Sequence, residues 1–265
     1  MDMEQSGIPK IIHYVWFGGK PLTPLAEKCL ESWHKYCPDY EIKRWDESNF
    51  NSGENRYFIE AIEAKKWAFA SDYARLKVLV DFGGIYMDTD VEVLKPLDPF
   101  LVEEAFSGFE AAESVPTGLM ASRAGMPFFE RLLRDYDDRH FIREDGSLDL
   151  TTNVTLITNA CTDAGLILNG QKQTVAGFTL YPKEYFCPKD HDTGRIHLTS
   201  NSYAIHHFDG SWLPPEYSLY QDEKKCLISR YPTMPIGIAK GLALVRSCFK
   251  DKSLKPYMYW RNHRS

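Results

Sequence analysis

Residues 67–92 read WAFASDYARLKVLVDFGGIYMDTDVE, and this stretch decides the fold. An apolar helical pattern runs to Phe82 and stops at Gly83-Gly84, as a helix closed by a C-terminal glycine does. The short apolar run Ile85-Tyr86-Met87 follows and ends on Asp88-Thr89-Asp90. In open α/β sheets ligands bind at the carboxyl ends of strands. Burying two carboxylates one residue apart is costly without a cation. Oxygen donors of this kind suit a hard divalent ion, which can in turn hold a diphosphate. Asp72 and Arg75, three residues apart, share one face of the preceding helix. An exposed pair of that sort is worth about 0–1 kcal/mol and is common. Here the neighbours are apolar (Ala68, Phe69, Ala70, Tyr73, Leu76), and the Arg fork suits hydroxyls or phosphate.

Outward from this stretch, the pattern is that of an α/β chain. Ile11–Phe17 is a near-continuous apolar run between Pro9 and Gly18-Gly19, which predicts a buried strand and a turn. Pro24–Tyr36 has helical spacing with Thr23 placed to cap it, and Tyr40–Trp45 reads as a second strand. Together they form the β-α-β opening of a parallel sheet. The pattern predicts a long helix over 56–82 broken near 68–71. It predicts strands at 85–87, 91–94, 105–109, 118–122, 174–181 and 202–208, and helices at 127–140, 153–164 and 238–250. No repeat or linker interrupts the 265 residues, which read as one domain.

Composition excludes some classes. The formal net charge of -6 argues against a nucleic-acid binder. The charge is uneven: residues 221–265 hold ten Lys/Arg and three Asp/Glu, so a basic tail follows an acidic body. An anionic surface or plain solvent would each satisfy such a tail. The six cysteines form no C-x-x-C pair, the N-terminus does not resemble a signal peptide, and no apolar run matches a membrane span. The expectation is a cytoplasmic protein with free thiols.

Two further Asp-x-Asp triplets, Asp135/Asp137 and Asp190/Asp192, sit in polar surroundings and read as solvated charge. Trp16, before Gly18-Gly19, is either core or a platform for a planar base. His206-His207-Phe208-Asp209-Gly210-Ser211-Trp212 follows a strand, so the histidines could ligate a metal and Ser211 or Trp212 could touch diphosphate. Glycine-loop, nucleophile-elbow and H-E-x-x-H templates are absent.

The segments IPKIIHYVWFGGKPL (8–22), SWHKYCPDYEIKRWDE (32–47), AFASDYARLKVLVDFGGIYMDTDVEVLKPLD (68–98) and HHFDGSW (206–212) resemble glycosyltransferase family 32. That family groups bacterial capsular and exopolysaccharide sugar transferases with yeast mannosyltransferases. It is more distantly similar to the glucosylating domains of large clostridial toxins. The resemblance implies a GT-A fold: a single Rossmann-like α/β domain over 1–265 with a mainly parallel mixed sheet flanked by helices. Residues 8–125 would form the nucleotide-sugar half, 126–237 the acceptor half and closing segment, and 238–265 a basic helix and tail.

The resemblance further implies a retaining transfer of a hexose from a nucleotide-sugar, with Mn2+ or Mg2+ on the diphosphate. A UDP-sugar is favoured over GDP-mannose, and the acceptor is a saccharide or lipid-linked saccharide. Trp16 then matches the residue that stacks on the base, and Asp72 and Arg75 the pair that grips the donor sugar. Tyr86 lies beside the donor, Asp88 contacts ribose and sugar, and Asp90 is the direct metal ligand. Ser211 and Trp212 fall in the segment that closes over the diphosphate, where His206, His207 or Asp209 would complete the metal site. No carboxylate stands out as a nucleophile, so same-face attack by the acceptor is the preferred mechanism. The alternative is an inactive sugar- or nucleotide-binding scaffold of the same fold. A basic C-terminus could dock at the inner face of the plasma membrane, where lipid-linked acceptors reside.

Overall fold

A computed structural model describes residues 7–111, 114–210 and 215–262. Two compact units emerge: Met1–Pro188 with Leu198–His207, and Lys189–His197 with Phe208–Ser265.

The first unit is built on a seven-stranded sheet. Its strands are β1 (Ile11–Val15), β2 (Glu41–Trp45), β3 (Gly84–Met87), β5 (Ala105–Gly108), β6 (Leu119–Ser122), β7 (Gln173–Val175) and β8 (Phe178–Tyr181). The order is β2-β1-β3-β6-β5-β8-β7. Strands β2, β1, β3, β5 and β8 point one way and β6 and β7 the other, so the sheet is mixed and mainly parallel. β4 (Val91–Val93) pairs instead with β9 (Ala204–His206) in a separate two-stranded ribbon, with Val91 opposite His206.

Alternation along the strands divides the core. Ile12 and Tyr14 of β1, with Ile85 and Met87 of β3, pack on the side of Cys29 and Trp33 from helix α1 (Pro24–Tyr36). Val15 and Tyr86 face the other side. There they meet α2 (Arg56–Glu63), α3 (Trp67–Phe82), α4 (Pro127–Arg134) and α5 (Asn153–Asp163). Helix α1 is capped by Thr23, whose hydroxyl accepts from the Ala26 N–H, as its sequence predicts.

Several boundaries differ from the sequence reading. The α2–α3 break falls at 64–66 rather than 68–71, because Lys65 takes a left-handed conformation with φ 55°. Helix α4 ends at Arg134 rather than near 140. Asp135 closes it, and Tyr136 turns inward to be buried. The run 174–181 is a hairpin, β7 and β8, turned through Ala176 (φ 47°) and Gly177 (φ 79°), the left-handed pair that tight hairpins favour.

The second unit is helical: α6 (Pro215–Arg230), α7 (Ile236–Asp251) and α8 (Lys255–Asn262). Its small core gathers Tyr220, Leu227 and Ala243, with Tyr217, Leu244 and Trp260 against them. Sequence periodicity foretold only α7, extended here by two residues at its start and one at its end. All six cysteines are free thiols. Among the described residues, no helix is long and apolar enough to cross a membrane.

Candidate active site at the end of strand β3

Strand β3 is fully buried, and the chain leaves it at Asp88, whose N–H donates to the Gly118 carbonyl at 2.7 Å. The following turn is closed by the Val91 N–H bonding back to the Asp88 carbonyl at 3.0 Å. This holds Asp88 and Asp90 in fixed positions beside β9, where the His207 N–H donates to the Asp90 carbonyl at 2.9 Å. His206, the last residue of β9, brings its Nε2 within 3.4 Å of Asp90 Oδ1. One ligand atom from each of Asp88, Asp90 and His206 lies within 4.8 Å of the other two.

Two carboxylates and an imidazole, each half-buried, match the donor chemistry that holds Mn2+ or Mg2+. Burial pulls the His206 imidazole down, but the Asp90 carboxylate beside it, with Cys187 and Asp88, raises it well above the ordinary histidine range. An imidazolium there balances the two aspartates, and a bound cation would displace its proton. Glu110, two residues beyond β5, is a further acidic group. Burial raises its carboxyl above the usual range, against the pull of His206 and Lys183, and Asp88 and Asp90 add to the rise.

The Asp72–Arg75 pair sits behind this cluster and is almost fully buried. Arg75 Nη2 lies 3.2 Å from Asp88 Oδ1, and Nη1 lies 3.4 Å from Asp72 Oδ1. Nη1 also bonds the Thr117 hydroxyl. The guanidinium lies 4.9 Å over the Tyr86 ring, and the Tyr86 hydroxyl donates to Asp88 Oδ1 at 2.8 Å. Asp72 Oδ2 accepts from the N–H of Asn153, at the start of α5, at 3.1 Å. The Tyr136 hydroxyl in turn donates to Asn153 Oδ1 at 2.6 Å. Burial pushes the Asp72 carboxyl up to about 6, opposed by Arg75 and the Asn153 N–H. The Arg75 Nε is buried and has no hydrogen-bond partner among the described residues.

The structure therefore brings Asp72, Arg75, Tyr86, Asp88, Asp90 and His206 into one network. His207 is not part of the acidic cluster. Consecutive residues of an extended segment point to opposite sides, and His207 Nε2 lies 2.8 Å from Glu92 Oε2, which Lys28 also binds. Trp16 follows β1, a direct neighbour of β3. It is half-buried, with its indole N–H donating to the Lys20 carbonyl at 2.6 Å. Asp209 belongs to the second unit. Ser211 and Trp212 lie outside the described residues.

Sequence reasoning missed Thr117, Gly118 and Asn153. A Cβ at Gly118 would stand 2.8 Å from Cε1 and 2.9 Å from Nδ1 of His206, so only glycine lets the imidazole reach the aspartates. The Thr117-Gly118 pair just before β6 carried no pattern by which periodicity could mark it.

Residues 24–107 match the family described as "Glycosyltransferase sugar-binding region containing DXD motif", and Asp88-Thr89-Asp90 is the D-x-D triplet within them. Similar proteins include inositol phosphoceramide mannosyltransferase 3 of Schizosaccharomyces pombe, 29% identical over 50% of this chain and 38% of that protein. An uncharacterized glycosyltransferase of Acanthamoeba polyphaga mimivirus is 26% identical over 78% of this chain and 84% of its own length. The chain thus spans well under half of the fission-yeast protein and most of the viral one. Among solved structures, the PaToxG glycosyltransferase aligns with a TM-score of 0.46 at 20% identity, covering 59% of this chain and 70% of that one.

Proposed function

We propose that this chain, a glycosyltransferase of the class that carries a DXD sugar-binding region, transfers a hexose from a nucleoside-diphosphate sugar to a saccharide or lipid-borne acceptor with the help of a divalent cation. The observation that carries this reading is the junction of two groups of side chains at one strand end. Asp88 belongs both to the Asp88–Asp90–His206 cluster and to the buried Asp72–Arg75–Tyr86 network. A structural ion pair needs no such junction, and a donor that is part anion and part sugar does.

Asp88, Asp90 and His206 would hold the cation, whose chemistry when bound is to offset the negative charge that develops on a leaving diphosphate. Arg75 and Tyr86 both bind Oδ1 of Asp88 and so fix the orientation of that carboxylate. Preorganised groups of this kind need not reorganise during reaction. Arg75, through the Asp88 carboxylate it holds, and Asp72, held by Asn153, would orient sugar hydroxyls. Trp16 offers a ring face for the base. Retention by same-face attack remains our preferred stereochemical course.

The named relatives support mannose as the sugar. They include a fission-yeast mannosyltransferase named for inositol phosphoceramide, and they are fungal and viral. A GDP-linked donor and a lipid-borne acceptor therefore stand beside the UDP-sugar and polysaccharide reading drawn from sequence. The test is to measure release of nucleoside diphosphate from a panel of UDP- and GDP-sugars with Mn2+, with and without acceptors. Acceptor-dependent release supports transfer. Binding of a donor without turnover under any of these conditions would favour the inactive scaffold.

A further inference from the structure

Helix α7 presents an apolar stripe to solvent. Ile238, Leu242, Val245 and Phe249 follow one another at spacings of four, three and four residues, which places them on a single helix face. That face is open: the four side chains are 55%, 43%, 54% and 79% exposed. The opposite face, with Ala239, Ala243 and Ser247, is the buried one. Leu254, just past α7, and Met258 of α8 are exposed as well, at 67% and 58%. Large apolar side chains gathered in this way mark a surface that another body covers.

Charge indicates which body. The second unit carries twelve Lys/Arg and seven Asp/Glu, a net of +5, whereas the first unit carries a net of -11. Lys252, Lys255 and Arg261 cluster near the C-terminal end of the stripe. They are exposed and form no ion pair among the described residues. Arg246 and Lys250 share Glu223 of α6 between them, so that carboxylate offsets only one of the two. An apolar stripe bordered by cations is the pattern of a helix that lies in the plane of a membrane interface. A second copy docking through the same stripe would bring two positively charged units together.

We propose that the α7 stripe, with Leu254, Met258 and the surrounding cations, docks on an anionic lipid membrane. Apolar burial supplies the attachment, and attraction between the cations and acidic headgroups supplies the preference for negative surfaces. Docking does not require sugar transfer, so it must persist in a catalytically dead Asp90→Asn protein.

The test is co-sedimentation of the full chain with vesicles of phosphatidylserine and phosphatidylcholine, and with phosphatidylcholine alone. Binding to the anionic vesicles is expected, falling at least about tenfold in high salt. The exposed double substitution Leu242→Ser with Phe249→Ser should reduce partitioning by more than about tenfold while leaving the circular dichroism spectrum unchanged. Lys252→Glu with Lys255→Glu should remove the preference for anionic lipid. Absence of binding at low salt overturns the proposal. So does a concentration-dependent dimer in sedimentation that the Leu242/Phe249 substitutions abolish, because the stripe would then be covered by a second copy. Equal binding by the Leu242/Phe249 variant would also overturn it.

Discussion

The guanidinium of Arg75 and the carboxylate of Asp88 lie 3.2 Å apart, so helix α3 and the end of β3 are clasped at the site. Arg75 spans Asp88, Asp72 and Thr117 at once, which an ammonium cannot do with one point charge. Arg75→Lys should keep the charge and lose the geometry. We expect kcat with a nucleotide-sugar donor to fall about 100-fold, the scale of a misplacement near 1 Å. Arg75→Ala should also unfold at lower denaturant, since stranding a buried charge costs about 3–5 kcal/mol. Wild-type turnover by the Lys variant would show that the fork is not needed.

Asp90→Asn should abolish Mn2+ binding in calorimetry and turnover with it, while the fold persists. Removing the ion with EDTA should have the same effect on the wild-type enzyme and be reversed by added Mn2+. Full activity in EDTA would refute the metal assignment.

Gly118→Ala places a methyl group against the His206 ring, 2.8 Å from Cε1. Displacing a metal-ligating histidine should weaken Mn2+ affinity, by analogy with the roughly 10–100-fold losses seen when a ligand's supporting partner is changed. An unchanged affinity would exclude His206 from the metal site.

Trp16→Ala should weaken nucleoside diphosphate binding by about 1–3 kcal/mol, the scale of a base–aromatic stack. Mn2+ binding should be unaffected. Equal nucleotide affinity in the two proteins would reduce Trp16 to a packing role.

Stability should depend on the buried His13. Trp45 donates its indole N–H to His13 Nδ1 at 3.0 Å, so Nδ1 carries no proton, and Nε2 donates to the Gly83 carbonyl at 2.8 Å. Burial lowers its pKa from 6.5 to about 4, opposing the effect of the Gly83 carbonyl. Because the folded value is depressed, the unfolded chain binds more protons between these two values. The stabilisation is complete above about pH 6.5 and is lost as pH falls towards 4, a swing of about 3 kcal/mol. The Asp72 carboxyl, raised to about 6, gives an opposite slope in the same window, so urea melts of wild type and His13→Gln are compared: their difference in stability should fall with pH along the His13 slope. A wild-type minus His13→Gln stability difference that stays level from pH 7 to 4.5 would contradict the linkage.

The strongest sequence signals were those that obeyed one local rule. The apolar run of β1, the Thr23 cap of α1 and the Gly-Gly stop after α3 each fix an element without help from the rest of the chain. The same holds for Asp88, which inherits its place from the strand before it. What escaped were relations between distant segments. Nothing local to Gly118 shows that His206 needs its space, and Asn153 acquires its role only when α5 packs so that its N–H meets Asp72. Helix α6 was invisible because charged and aromatic residues mask its periodicity. The paired histidines showed the limit of composition: adjacent in sequence, they are separated by the alternation of an extended chain, one towards Asp90 and one towards Glu92.

Gly83 and Gly84 leave no slack between the helix that carries Arg75 and the strand that carries Asp88. A Cβ on Gly83 would stand 2.6 Å from the Ala124 nitrogen, and one on Gly84 would stand 2.6 Å from the Ile11 carbonyl oxygen. Both residues have positive φ, at 65° and 100°. The connection is therefore sealed against lengthening, padding or a hinge motion. Selection for catalysis should accordingly fall on two residues that touch no ligand. In an exhaustive substitution screen read out by activity, these glycines should prove as intolerant as the aspartates, and single-residue insertions between Phe82 and Ile85 should be as damaging as deleting Asp88.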